Sequence, residues 1–306
     1  MARRKIQGTA IPVLQSLFRT YASPAATSRP PVSKLGIPNV DHIIAVASGK
    51  GGVGKSTTAV NLAVAMAQNL GLRIGVLDAD IYGPSIPRLL HLHGKPDVDS
   101  NDLMLPLKNH GVTAMSMGFL IEEDSAAVWR GPMVMSALDT FIRKVNWGNL
   151  DCLVIDMPPG TGDAQITISQ RLALSGAVIV STPQDLALLD ARRGVTMFRK
   201  VSVPILGIIE NMSWFVCGNC GTEAHVFGHG GCTKTAKDMD MEVLGEIPLH
   251  IDIRETSDAG VPIVVSKPES VAAKAYVSVA ERVWQQLQEG NCGGGQAGPP
   301  KIEIRK

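Results

Sequence analysis

The stretch Gly49-Lys50-Gly51-Gly52-Val53-Gly54-Lys55-Ser56-Thr57 constrains this chain more than any other. It fits the phosphate-binding pattern G-x-x-x-x-G-K-[ST] without a gap. The apolar run Ile43-Ile44-Ala45-Val46-Ala47 leads into it and reads as a buried strand. An apolar helical pattern over Ala59 to Leu70 leads out. A strand, a glycine-rich loop and a helix start form a cradle for phosphate. The glycines let the backbone turn so that successive N–H groups face the oxygens, and the helix end adds unpaired N–H donors and a positive dipole. Lys55 reaches the β- and γ-phosphates, and the Ser56 hydroxyl binds Mg²⁺. Lys50 is a second lysine in the same loop. Lys55 already serves the chain's own nucleotide, so Lys50 is placed to touch phosphate bound to a neighbouring subunit.

Beyond the loop the chain keeps a rhythm of short strands and longer helices. Apolar strands are expected at Arg73–Leu77, Val112–Met117, Asp151–Ile155, Ala177–Ser181, Ile205–Ile209 and Val243–Ile247. Helices are expected from Pro84 or Pro87 to His93, from Pro132 to Val145, and over Gln165–Leu174, Asp185–Val201, Thr235–Met241 and Glu269–Gln288. Residues 94 to 110 read as irregular. This alternation predicts an α/β fold, one mostly parallel sheet with helices on both faces. The ligand of such a sheet sits at the carboxyl ends of the strands. The glycine loop, Asp78 and Asp80, Asp156, and Glu210-Asn211 all follow strands, so they converge on one edge. The expected division is 1–38 as leader and linker, 39–289 as the ATPase domain with a cysteine-bearing insertion near 213–233, and 290–306 as a disordered tail.

Asp156 ends a strand and precedes Met157-Pro158-Pro159-Gly160-Thr161-Gly162-Asp163. A carboxylate there can hold Mg²⁺, and Gly160 and Gly162 let the following turn move with the γ-phosphate. Asp78 and Asp80 alternate along an extended segment, so one faces the site and the other the rim. Asn211 has the donor and acceptor that an adenine edge needs. No Asn-Lys-x-Asp guanine signature occurs, which favours ATP over GTP.

Charge separates the first forty residues from the body. They hold Arg3, Arg4, Lys5, Arg19, Arg29 and Lys34 and no acid. Without those six of 29 basic residues, 23 face 28 acids, a net of −5. An acidic body with only 4 % aromatics is a poor nucleic-acid surface, so no nucleic-acid partner is expected. The leader has the composition of a mitochondrial transit peptide, and Arg19-Thr20-Tyr21-Ala22-Ser23 resembles a matrix-protease site before Ala22. No apolar run approaches the ~20 residues that span a bilayer, so a soluble matrix protein is expected.

Cysteine usage holds the second signal. The five cysteines, at 152, 217, 220, 232 and 292, are too few and too scattered for a disulfide framework. Cys152 sits in an apolar run and Cys292 in a glycine-rich one. Cys217-Gly218-Asn219-Cys220 places two thiols where they can hold one metal centre. The pair is incomplete alone, and three completions compete: a zinc knuckle finished by Cys232, His225 and His229, a redox dithiol, or two pairs meeting across a twofold axis.

The loop from Lys50 to Thr57 resembles the deviant Walker A of the MinD/ParA/Mrp class, whose members sandwich two ATP molecules in a homodimer. Leu77 to Ser85, Trp129-Arg130-Gly131-Pro132, Asp156 to Asp163, Ser181-Thr182-Pro183-Gln184-Asp185, Asn211-Met212 and Cys217 to Cys220 together resemble the Mrp/ApbC iron–sulfur carrier family. The likeness spans roughly residues 40 to 285. It implies a single SIMIBI/MinD-like P-loop NTPase domain, a slow ATPase, with Asp80 as the residue that activates water. It implies that Asn211 and the Pro183 loop surround the base. It also implies a [4Fe–4S] cluster held by Cys217 and Cys220 across a homodimer. With the leader, it implies an iron–sulfur donor and apo-protein acceptors such as subunits of respiratory complex I. The alternative is a MinD/ParA-like partitioning or positioning ATPase without a cluster; it expects a basic DNA-binding face or an amphipathic membrane helix at the C-terminus, and Ala272, Ala273, Ala275, Val277, Val279, Ala280 and Val283 read as a packed surface helix instead.

Overall fold

The computed structural model describes residues 34–81, 83–120, 131–217 and 219–292, without the side chains of 131–135, 291 and 292. The leader before Lys34, Tyr82, Trp129-Arg130, Gly218 and the residues after 292 lie outside the described residues.

Among the described residues, nine strands form one sheet. They are β1 (Val40–Ala47), β2 (Ile74–Asp78), β3 (Leu107–Asn109), β4 (Val112–Ser116), β5 (Leu150–Asp156), β6 (Gly176–Ser181), β7 (Ile205–Val216), β8 (Glu223–Ala224) and β9 (Val243–Leu249). Their order is β3-β4-β2-β5-β1-β6-β7-β8, and β9 also pairs with β7. The pairings among β4, β2, β5, β1, β6, β7 and β9 are parallel. Only β3 and β8, at the edges, run antiparallel to their neighbours. The central strands are buried on both faces, which is why they read as continuous apolar runs rather than alternating ones.

The helices are α1 (Lys55–Asn69), α2 (Ile86–Leu89), α3 (Gly131–Arg143), α4 (Asp163–Arg171), α5 (Asp185–Lys200), α6 (Gly231–Asp238), α7 (Ile251–Asp258), α8 (Ile263–Ser266) and α9 (Val271–Cys292). The long alternating elements fall where the sequence puts them. Several features differ, among them β8, which was not expected, and α6, which begins at Gly231 rather than Thr235. The stretch expected to be irregular holds β3, whose three residues gain their form from pairing with β4. Two helices, α7 and α8, fill the span between the last strand and the last helix. Strand β7 runs on to Val216, where a strand ending at Ile209 was expected. Its extension is flanked by β8 and β9, and those pairings make it strand.

The packed chain reaches back to Lys34, within the expected linker. Leu35 bridges to Leu172, Ile37 is buried, and the Lys34 ammonium donates to the carbonyls of Val201 and Ser202. Helix α9 covers the sheet with Ala272, Ala273, Tyr276, Val279, Ala280 and Val283, all buried. No helix among the described residues is long and apolar enough to cross a membrane.

Candidate functional site

Strand register carries the acids to one edge. Asp78 at the end of β2 pairs with Asp156 at the end of β5, and Ser116 of β4 pairs with Asp78. Asp156 pairs in turn with Val46 of β1, just ahead of the glycine loop. The loop itself has Gly52 and Gly54 in the left-handed region, at φ 80° and 81°. Gly54 caps α1 without a side-chain hydrogen bond, and no acid stands in the first turn of that helix. The free N–H groups at this helix start therefore face outward with their dipole unopposed, an anion site by construction. Gly51 and Gly52 are exposed, Lys50, Ser56 and Thr57 are half-buried, and Val53 is buried and anchors the loop.

Two contacts clamp the loop from the side. A Cβ on Gly49 would stand 2.2 Å from the Asp190 carbonyl carbon, so only glycine lets α5 close on the loop's start. Asn211 Nδ2 donates to the Val53 carbonyl at 2.8 Å, and a Cβ on Gly54 would stand 2.2 Å from that same nitrogen. Asn211 thus holds the loop to β7.

The Lys55 ammonium lies 7 % exposed and reaches Asp156 Oδ1 at 2.5 Å and Ser56 Oγ at 3.2 Å. The other Asp156 oxygen, Oδ2, is buried with no hydrogen-bond partner. Burial raises the Asp156 carboxyl above the usual range, and the Asp80 carboxylate raises it further, against the opposing pull of Lys55 and Ser56. A buried oxygen without a partner, a hydroxyl and a nearby second carboxylate are hard oxygen donors of the kind Mg²⁺ takes. The residues present fit that ion, which when bound with nucleotide neutralises phosphate charge.

Asp78 has a different part. Its Oδ2 accepts from the Ser85 and Ile86 N–H groups and from the Ser116 hydroxyl, at 3.0, 3.1 and 3.0 Å, and its Oδ1 accepts from the Asp80 N–H at 3.2 Å. Fully buried, it splints β2 to α2 and β4. Burial and the Asp156 charge push its carboxyl up to about 7. Asp80 stands at the rim, half-buried, and its Oδ1 accepts from the Gly83 N–H at 3.3 Å. The segment after Asp156 is laced back to β1 and the loop: Met157 N donates to Val46 O and Gly160 N to Ser48 O, while Ser48 Oγ donates to Lys50 O.

A cleft of about 310 Å³ opens beside the loop between Gly54, Thr57, Asn211 and Met212 on one side and Pro248, Leu249, His250, Ile253 and Arg254 on the other. Asn211 lines this cleft. Pro183 does not line this cleft; its carbonyl packs on Gly231 at the start of α6. Strand β7 lies between β6 and β9, and the cleft opens on the β9 side. The residues at the end of β9 and just beyond it were missed from sequence, although the carboxyl-end rule applied to that last strand points to Pro248-Leu249-His250.

The cysteine pair sits on a hairpin tip. Strand β7 ends at Val216, Cys217 N donates to Thr222 O, Gly221 N donates to Cys217 O, and β8 returns at Glu223. Cys217 is half-buried, Cys220 exposed, and both are free thiols. Cys220 Sγ lies 3.2 Å from the Thr222 hydroxyl. That hydroxyl, the Thr222 backbone and the Cys217 side chain hold the Cys220 thiol below its ordinary range, toward the thiolate that binds metal. Cys232 is buried, with its N–H donated to Glu210 and its thiol pushed up by burial. His225 and His229 pack ring against ring, with centroids 4.2 Å apart. Among the described residues no three His, Cys, Asp or Glu side chains converge on a metal-sized centre, so the donors of a zinc knuckle are not gathered. Cys152 is a core residue.

Residues 39–284 match the family model described as NUBPL iron-transfer P-loop NTPase, within ParA. A relative from Arabidopsis thaliana, named iron-sulfur protein required for NADH dehydrogenase, mitochondrial, is 57 % identical over 88 % of this chain and 85 % of its own. The Mus musculus iron-sulfur cluster transfer protein NUBPL is 56 % identical, over 82 % of this chain and 79 % of its own. The Escherichia coli (strain K12) iron-sulfur cluster carrier protein is 51 % identical, over 82 % and 68 %. Among solved structures, a nucleotide-binding protein from Archaeoglobus fulgidus in complex with ADP superposes with a TM-score of 0.66 at 40 % identity, covering 76 % of this chain and 90 % of that one. MinD from Pyrococcus horikoshii, complexed with Mg-ADP, gives 0.60 at 23 % identity over 81 % and 98 %, a likeness of fold alone.

Proposed function

This chain belongs to the NUBPL iron-transfer P-loop NTPase family, and from that membership we propose that it carries an iron–sulfur cluster and hands it to apo-proteins, those of mitochondrial NADH dehydrogenase (complex I) among them. The observation that carries the reading is a continuity. One strand, β7, bears Asn211 against the phosphate loop and, six residues on, Cys217 at an exposed hairpin tip. Six strand residues span roughly 20 Å. A shift at the loop therefore has a short path along one strand to the thiols, through a break in the β9 register between Asn211 and Phe215, with Met212 at φ 57°.

The cargo is a [4Fe–4S] cluster held across a homodimer. Such a cluster takes four thiolates, one chain offers two at the hairpin, and a twofold axis supplies the other two. Lys50, half-buried at the loop's mouth, serves the nucleotide of the partner subunit. Lys55 and the loop N–H groups from Gly49 to Thr57 hold the chain's own ATP, Ser56 and Asp156 hold Mg²⁺, and Asp80 orients the attacking water. Slow hydrolysis resets a switch at Gly160–Gly162, and this paces loading and release. The place of action is the mitochondrial matrix, a reading supported by the basic, acid-free leader and by the plant relative's name, which is that of a mitochondrial protein.

Anaerobic reconstitution tests the reading. About four irons per dimer, lost in Cys217→Ala and transferred to an apo acceptor, are expected. One tightly bound zinc per chain, or a colourless protein with dispensable cysteines, sinks it.

A further inference from the structure

Gln165 lies on the first turn of α4 and is 1 % exposed. Its Nε2 donates to the Pro158 carbonyl at 2.5 Å, and its Oε1 is buried with no donor. Pro158 offers only a carbonyl there, which fixes the orientation of the amide. A buried amide oxygen without a partner is uncommon and calls for a reason.

The neighbouring segment supplies one. Pro158 and Pro159 have no N–H to give. The two N–H groups that flank them, of Met157 and Gly160, are committed to Val46 O and Ser48 O. Every backbone donor from 157 to 160 therefore points to β1 and the phosphate loop. Gly160 sits at φ 94°, and a Cβ on it or on Gly162 would meet nothing within 4 Å, so the segment has room to swing at both glycines. Movement of Gly160 away from Ser48 frees an N–H two residues from the carbonyl that Gln165 already holds, and Gln165 Oε1 lacks a donor.

We propose that Gln165 is the positioning residue of the switch segment. Its Nε2 holds residues 158–160 in their resting place through the Pro158 carbonyl, and its Oε1 takes an N–H of the segment when the segment closes over ATP. The amide thus stabilises two positions of one segment with its two ends. The inference rests on ATP turnover at this site and not on the cluster.

Two variants of equal length test the amide's two ends. Gln165→Met has neither donor nor acceptor. Gln165→Glu, kept protonated by burial beside a carbonyl, retains one donor and one acceptor. In the full-length protein, hydrogen exchange at Gly160–Gly162 without nucleotide is expected to rise tenfold or more in Gln165→Met and to stay within threefold of the parent in Gln165→Glu. ADP affinity is expected to stay within twofold. The kcat for ATP is expected to fall tenfold or more in Gln165→Met and to stay within threefold of the parent in Gln165→Glu, with KM little changed in either. Parallel losses of kcat and melting temperature in both variants would show a packing role and overturn the proposal. So would unchanged exchange and kcat in Gln165→Met. Where Gln165→Met does not fold, Gln165→Leu, which also lacks donor and acceptor, is read in its place: raised exchange with lowered kcat supports the latch, and unchanged exchange and kcat overturn it. Iron content after reconstitution is read on the same samples, so failure of the carrier reading shows separately.

Discussion

Neighbouring carboxylates in this site are set to different tasks by burial. Asp78 and Asp80 differ by two positions, yet one is sealed under four hydrogen bonds and the other stands at the rim. Asp80→Ala is expected to leave ATP affinity near that of the parent and to slow hydrolysis about tenfold or more, ~1.4 kcal/mol of barrier. Single-turnover rates measure it, and unchanged turnover removes Asp80 from the chemistry. Asp78 governs stability. Its carboxyl, pushed up to about 7, keeps its proton in the folded state across a pH range where the unfolded chain has released it. The unfolded state then binds fewer protons, so stability falls as pH rises from about 4 to about 7. Asp78→Asn is expected to be less stable than the parent near pH 5, because an amide nitrogen replaces one acceptor oxygen, at a cost of about 1–3 kcal/mol. The gap should narrow toward pH 8. Urea titrations of nucleotide-free protein at both values report it. The type of each acid was legible in the sequence, but not its depth, because the hydrogen bonds from Ser85, Ile86 and Ser116 come from the start of α2 and the end of β4, two other elements.

The phosphate loop works as part of a clamp made by three elements. Helix α1 supplies its open end, β7 grips it through Asn211, and α5 lies against Gly49. Gly49→Ala is expected to cost about 1–3 kcal/mol by overpacking, since its Cβ would stand 2.2 Å from the Asp190 backbone. Gly54→Ala adds a strained φ to a clash with Asn211 and is expected to abolish tight ADP binding. Calorimetry with ADP and urea denaturation separate the two effects. Long apolar elements such as β1, β5 and α5 were readable, because burial on both faces of a strand, or one face of a helix, writes itself into residue order. Short ones were not. The forms of β3 and β8 come from the strands they pair with, and α7 and α8 are eight and four residues long, too short for a clear period.

At the scale of the whole molecule, the nucleotide edge and the cysteine hairpin are two outlets of one sheet. Lys50→Ala is expected to keep ADP affinity within about threefold and to lose ATP-dependent dimerisation, since Lys55 alone meets the chain's own phosphates. Light scattering with and without ATP checks this, and a dimer that persists in the variant removes Lys50 from the interface. The order of residues determined by itself the phosphate loop, the α/β alternation, the acids at strand ends and the paired thiols. Each depends on spacing along the chain, and spacing is local. Tertiary structure alone decided that Asp78 is a buried splint, that the Pro183 carbonyl packs on Gly231 at the start of α6, that Pro248 to Arg254 wall the cleft beside the loop, and that β7 runs on to the thiols. Those facts depend on which strands lie side by side, and adjacency in a sheet joins residues far apart in the chain.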